Sequence, residues 1–176
     1  MVVIQEQLLY ARDMTVDITA SREHLADFLS KNRVGLLATA DSSGRPHAAT
    51  IYITHDRQFD LYFITKKDTQ KSRNLQSNNR AAIAIYDADS QSTVQAEGTV
   101  VEVTDPKQLE WIFNDIWRIA LQVSPSSAPP QSQLSAGGYV AYRLIAPALR
   151  IATFMRQDPA AYDKIFEVVN TQPSRT

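Results

Sequence analysis

Apolar and polar positions alternate with a period of two through much of residues 34–103, and that alternation predicts a succession of β-strands. It is clearest from Phe59 to Ile64, where Phe59, Leu61 and Phe63 share one face and Asp60, Tyr62 and Ile64 the other. Upstream, VGLLATAD is a short apolar run stopped by Ser42, Ser43 and Gly44, a hairpin signal leading into a second strand from about His47 to Thr54. The loop His55 to Gln58 then leads into the Phe59 strand, so three strands follow one another as an antiparallel meander. Arg73 to Asn79 reads as a short helix or turn, and RAAIAIY, from Arg80 to Tyr86, as a fourth strand. Its small Ala81, Ala82 and Ala84 leave room for something bulky, either a neighbouring helix or a planar ligand. Thr93 to Val103 is a longer fifth strand in which Gly98 marks a bulge or a close backbone approach. The sixth runs from about Tyr139 to Ile145, with a continuation from Leu149 to Met155 after Pro147.

The two longer helical patterns flank residues 34–103. Ser21 is placed as the N-cap of a helix over about 21–32, with Leu25, Phe28 and Leu29 as its apolar face; His24 beside them is expected to be structural or solvated. Asp105 caps a second helix over about 106–122 with Pro106 at its first position. Its buried stripe is Leu109, Ile112, Phe113, Ile116, Trp117 and Ala120. Trp111 falls opposite, with Asn114 and Arg118, and is a candidate for a partner or ligand surface. Ser124 to Gly138, rich in Ser, Pro and Gly, reads as an intradomain loop or lid, and about 158–170 as a helical tail with a frayed end. The whole predicts a single domain over 1–176, mainly β: six short antiparallel strands in a small barrel with appended helices.

Composition narrows the functional classes. A hydrophobic fraction of 44% in 176 residues is enough for one core, and a formal charge of −1 gives no overall pull toward nucleic acid or anionic membrane. Cysteine is absent and histidine limited to His24, His47 and His55, so thiolate chemistry is excluded and no metal cluster is expected. The first residues lack the charged and apolar segments of a signal peptide, and no run approaches the length of a membrane span, so a soluble cytoplasmic protein is expected.

Any anion site must therefore be local, and one segment offers it. Directly after the Phe59 strand come Thr65, Lys66, Lys67, Thr69, Gln70 and Lys71. Hydroxyls and an amide give directional donors, lysines give charge, and turn N–H groups converge on an anion. A charge run after a strand is most often a solvated turn. The order of elements around this one argues for more.

That order, VGLLATADSSGRPHAATIYI, then FDLYFITKKDTQKSRNLQSNNRAAIAIYD, then TVQAEGTVVEV, resembles the FMN-binding split-barrel family typified by pyridoxamine-phosphate oxidase. The resemblance runs from roughly Phe28 to Phe154 and implies a six-stranded antiparallel split barrel of Greek-key type. It also implies a homodimer with two flavin sites in the interface. The flavin phosphate would be held by Thr65, Lys66, Thr69, Gln70 and Lys71 at the end of the strand that includes Ile64. The ring would lie along Ala48 to Ile53, principally Ala48, Ala49, Thr50 and Ile51. The family's fifth-strand glutamine, contributed by the other subunit, corresponds to Thr93 or to Gln95 two residues on.

Two departures are visible. Gln70 stands where the family carries Arg, which removes a bidentate donor. Phe154 stands near the position of the oxidase's C-terminal Trp, but the oxidase's paired arginines are not recognisable in LIAPALRIATFMRQDPAAYDKI. The resemblance thus implies an FMN-dependent oxidoreductase of unknown substrate, not the oxidase proper. No general acid or base stands out, since turn and core roles are expected for His47 and Tyr52. The alternatives are a non-catalytic flavin-binding or flavin-buffering protein, a relative using F420 or heme, and a barrel that merely dimerises through Trp111 and its apolar walls.

Overall fold

A computed structural model of the chain describes residues 18–123, 125–126, 137–154 and 166–171. In chain order these form α1 (Ile18–Lys31), β1 (Val34–Ala40), β2 (Pro46–Tyr52), β3 (Thr54–His55), β4 (Leu61–Lys66), α2 (Gln70–Ser77), β5 (Arg80–Asp87), β6 (Ser92–Glu102), α3 (Pro106–Val123), β7 (Tyr139–Ile145), β8 (Ala148–Thr153) and β9 (Phe166–Asn170). The strands pair in the order β2-β1-β5-β6-β7-β4-β3, all antiparallel, with β8 on β6 and β9 on β8. β2 and β3, at opposite ends of that order, are separated only by Ile53. They are one strand that changes partner, so the sheet curls onto itself. Counted that way the barrel has the expected six strands, and β5-β1-β2/β3-β4 is a Greek key.

Local chemistry explains the connections. In the β1–β2 hairpin, Gly44 has φ 85°, and Asp41 Oδ1 accepts from the Ser43 and Arg45 N–H groups at 2.9 and 3.0 Å. α3 starts where Asp105 Oδ1 accepts from Gln108 N at 2.8 Å. β6 is long because it serves two neighbours along one edge: Ser92–Ala96 pair with β8 and Thr99–Glu102 with β7. Gly98 sits at the changeover, where an added Cβ would lie 2.1 Å from the Ile145 carbonyl oxygen. The expected close backbone approach is therefore present, and it admits no side chain.

The inward positions of the strands, among them Leu37, Ile51, Phe63, Ile83, Ile85, Val94 and Leu144, fill the barrel together with Leu25, Phe28 and Leu29 of α1. α3 lays Ile112, Ile116 and Ile119 on the outer face of β4 and β7 against Tyr62 and Ala141. Asp60, 5% exposed at the start of β4, accepts from Arg143 Nε of β7 at 2.8 Å. Burial pushes its carboxyl above the ordinary range against the pull of that guanidinium.

Arg33 organises the bend between β2 and β3. Its carbonyl accepts from Ile53 N at 2.9 Å and its Nε donates to Ile53 O at 3.1 Å. Its Nη2 donates to Thr54 Oγ1 at 3.0 Å and pairs with Asp115 of α3, whose Oδ2 also accepts from Thr54 Oγ1 at 2.6 Å.

Three expectations need correction. α1 begins before Ser21, which is buried inside the helix and is not its cap. The continuation after Pro147 is a separate strand, β8. Residues 166–170 of the supposed helical tail form β9, because the free edge of β8 lets Phe166–Asn170 pair in register with Ala148–Ala152 and buries Val169. Residues 155–165, and most of the Ser124 to Gly138 loop, lie outside the described residues.

Two stability outcomes follow from this architecture. Gly98→Ala drives a methyl into fixed backbone and lowers stability by about 3 kcal/mol or more, read as a drop in melting temperature with unchanged far-UV spectrum below the transition. Arg33→Ala costs roughly 2 kcal/mol in urea unfolding, below the full penalty of orphaning a buried charge, since Asp115 keeps 20% of its side-chain exposure.

Candidate functional site

Among the described residues β2 pairs along one edge only, with β1. β4 pairs with β7 throughout, yet on its other edge meets β3 only at Leu61 and Tyr62. Main-chain groups of Ala48–Ile51 and of Phe63–Lys66 therefore border a seam in which the two strands run without a ladder between them. Strand edges left open inside a fold are positioned to bind something other than another strand.

One end of the seam carries the basic loop. Thr69 is the N-cap of α2, accepting from Ser72 N at 3.4 Å while its hydroxyl donates to Lys66 O at 2.9 Å. With that proton committed, Thr65 Oγ1 is the donor in its 3.0 Å bond to Thr69 Oγ1. Thr65 and Thr69 are thus brought together at the helix start. Lys66 and Lys67 are exposed, whereas Lys71 is half-buried, and none of the three forms an ion pair among the described residues. Burial pulls the Lys71 ammonium below its ordinary range, the signature of a charge that has lost water and gained no counter-ion.

Behind the loop runs a buried polar chain. Gln70 Nε2 donates to Asn74 Oδ1 at 2.8 Å, Asn74 Nδ2 to Thr39 Oγ1 at 3.0 Å, and Thr39 Oγ1 to the His47 carbonyl at 3.4 Å. Asn74 and Thr39 are 2% and 4% exposed, so the chain ties α2 to the start of β2 through the interior. The His47 side chain ends in a buried Nδ1 with no hydrogen-bond partner among the described residues. Sequence reading missed Asn74 and Arg73; the signal was their i+4 and i+3 spacing from Gln70 on α2.

The other expected residues separate by face. Ala48 and Thr50 lie on the open outer side of β2, while Ile51 points into the core and Ala49 shares its face. Ile64 packs its side chain with α3, leaving its main chain at the seam. Thr93 spends its hydroxyl on Ile85 O at 3.0 Å. Gln95 is exposed, and register places Thr50, Leu36, Ala84 and Gln95 in one row across four strands. Three strand spacings separate Gln95 from Thr50, roughly 14 Å, so one copy of the chain does not bring Gln95 to the seam. Trp111, 39% exposed, stacks edge-on against Tyr62 at 5.2 Å and lies away from the loop.

The family described as pyridoxamine 5'-phosphate oxidase matches residues 21–138, well over half of the chain. The chain belongs to that family. A pyridoxine/pyridoxamine 5'-phosphate oxidase of Paraburkholderia phymatum is 34% identical over 77 residues, which are 44% of this chain and 36% of that protein. The match thus spans little more than a third of that curated relative. Among solved structures, a Clostridium acetobutylicum protein related to general stress protein 26 superposes with TM-score 0.61 at 13% identity, covering 85% of this chain and 93% of that one. The heme storage protein HutZ of Vibrio cholerae does so with TM-score 0.54 at 15% identity, covering 70% and 88%. These likenesses give the fold, a split barrel with appended helices. No helix among the described residues is long and apolar enough to cross a membrane.

Asn74→Ala is expected to cost roughly 1–3 kcal/mol in thermal or urea unfolding, because Gln70 and Thr39 lose a buried partner together.

Proposed function

We propose that the chain binds FMN in the seam between β2 and β4 and serves as an FMN-dependent oxidoreductase. The observation that carries this reading is the coincidence of two unmet needs: open strand edges along Ala48–Ile51 and Phe63–Lys66, and a half-buried Lys71 without a counter-ion at their end. An aromatic ring with a polar rim suits the first and a phosphate dianion the second. Lys71 would neutralise the phosphate, Thr65 and Thr69 would shape the loop around it through hydroxyl protons spent on one another and on Lys66 O, and β2 would offer the ring small side chains and main-chain groups. FMN, when bound, supplies the two-electron redox chemistry. The residues of the chain bind it, orient it and keep water from one of its faces.

A homodimer belongs to this reading. The outer face of β1, β2 and β5 exposes Leu36, Ala84 and Tyr86, with Leu36 47% and Tyr86 62% exposed, an apolar sheet surface suited to a second copy. Gln95, too far from the seam of its own chain, would reach the flavin of the partner. The oxidases' own substrate is not carried over, since the match covers a minor part of the Paraburkholderia protein. A non-catalytic flavin carrier is the second reading, favoured by the absence of an acid–base pair at the seam among the described residues; steady NAD(P)H oxidation well above the rate of free FMN argues against it.

The absorption spectrum of freshly purified protein, before and after incubation with FMN, tests the proposal. A flavin spectrum supports it, a Soret band assigns heme instead, and a protein colourless after incubation sinks it. Lys71→Ala weakens FMN binding at least about tenfold while leaving apo-protein melting unchanged. Affinity should fall below about pH 6 as the phosphate takes a proton. It should fall again at alkaline pH, starting below the range of an ordinary lysine because the Lys71 charge is lost early. Fluorescence quenching of FMN across pH reads both limbs.

A further inference from the structure

Both ends of the Gln70 amide are held within the protein. Its Nε2 donates to Asn74 Oδ1, and its Oε1 accepts from Arg73 Nη2 at 3.2 Å. The orientation is forced, because a guanidinium can only donate and so must face the amide oxygen. Asn74 is locked in turn by its bond to Thr39 in the interior. Arg73 also donates from Nη1 to the Asp68 carbonyl at 2.5 Å. Its guanidinium thus bridges two oxygens of the loop that opens α2, at the positive end of the helix, where a cation is disfavoured. Two of its five N–H groups are used, and the other three have no partner among the described residues.

From Lys66 to Arg73 the chain places four cationic side chains, Lys66, Lys67, Lys71 and Arg73, against the single carboxylate of Asp68. None of the four forms an ion pair among the described residues. Such a cluster, with its most planar and pre-shaped donor clamped in place, suits an anion that takes several bonds at once.

We infer that Arg73 supplies the guanidinium that binds the phosphate monoester at this loop, and that Gln70 is a positioning residue that holds Arg73 there instead of a phosphate ligand. This rests on the flavin reading above and assigns the phosphate contacts within it. Arg73 acts on the phosphate alone, so it discriminates FMN from riboflavin. Gln70 acts only through Arg73.

The test compares FMN and riboflavin affinities of wild type, Arg73→Ala, Arg73→Lys, Gln70→Ala and the double variant Gln70→Ala/Arg73→Ala, each first checked for an unchanged melting profile. Arg73→Ala should weaken FMN at least about tenfold and leave riboflavin within twofold, with Arg73→Lys in between because it keeps charge without the fork. Gln70→Ala should weaken FMN in the wild-type background and add nothing to Arg73→Ala. FMN affinity within twofold of wild type in Arg73→Ala, an equal loss for riboflavin, or additive effects of the two substitutions would each overturn the assignment. Should wild type bind no FMN, the flavin reading fails separately. The assignment is then decided by titrating inorganic phosphate against the Arg73 Nε–H resonance: saturable movement upholds it, and none overturns it.

Discussion

The bracket formed by Arg33 at Ile53 is the contact on which the rest of the architecture depends. One arginine holds both main-chain groups of Ile53, the hydroxyl of Thr54 and the carboxylate of Asp115. It does so where the second strand leaves β1 and turns to β4. Because the change of partner is pinned there, the barrel closes at the β3 end and stays open along β2. Asp115 carries α3 to the same point, so the helix that covers β4 and β7 is indexed to the bend.

The open seam and the basic loop are two halves of one electrostatic arrangement. The chain as a whole carries a formal charge of −1, so its attraction for an anion comes from position and not from excess. Half-burial of Lys71 costs hydration that nothing within the described fold repays, while the Thr65–Thr69 pair and the polar chain from Gln70 to Thr39 hold the loop rigid. Preorganisation of this kind places the desolvation cost in folding and leaves less to be met on binding. The apolar outer sheet is a separate matter, governed by area and shape.

Much of the fold was legible along the chain because its signals are local. Asp41 to Gly44 turns where a short polar side chain and a glycine permit it, and Asp105 with Pro106 starts α3. Gly98 marks a backbone crossing, although the sequence alone left bulge and crossing equally open. The misreadings were non-local. Phe166–Asn170 is a strand because β8 presents an edge to it, and no periodicity in a five-residue stretch announces that edge. Ser21 looks like a cap, yet the helix passes through it because its small side chain fits a buried position.

For the site, the sequence by itself determined the inventory: threonines, lysines and an amide after an apolar strand, with small residues on the strand before. Positions this close along the chain stay near one another whatever the fold does, so Thr65, Thr69 and Lys71 could be grouped from spacing alone, although they fall on β4, the cap and α2. Only the tertiary structure decided which atoms remain free to bind. Hydrogen-bond commitments are settled by partners distant in sequence: Asn74 and Thr39 fix Gln70, Ile85 takes the Thr93 hydroxyl, and Gln95 ends three strands away from Thr50. A side chain's type states what it can donate; the packing around it states what it has left.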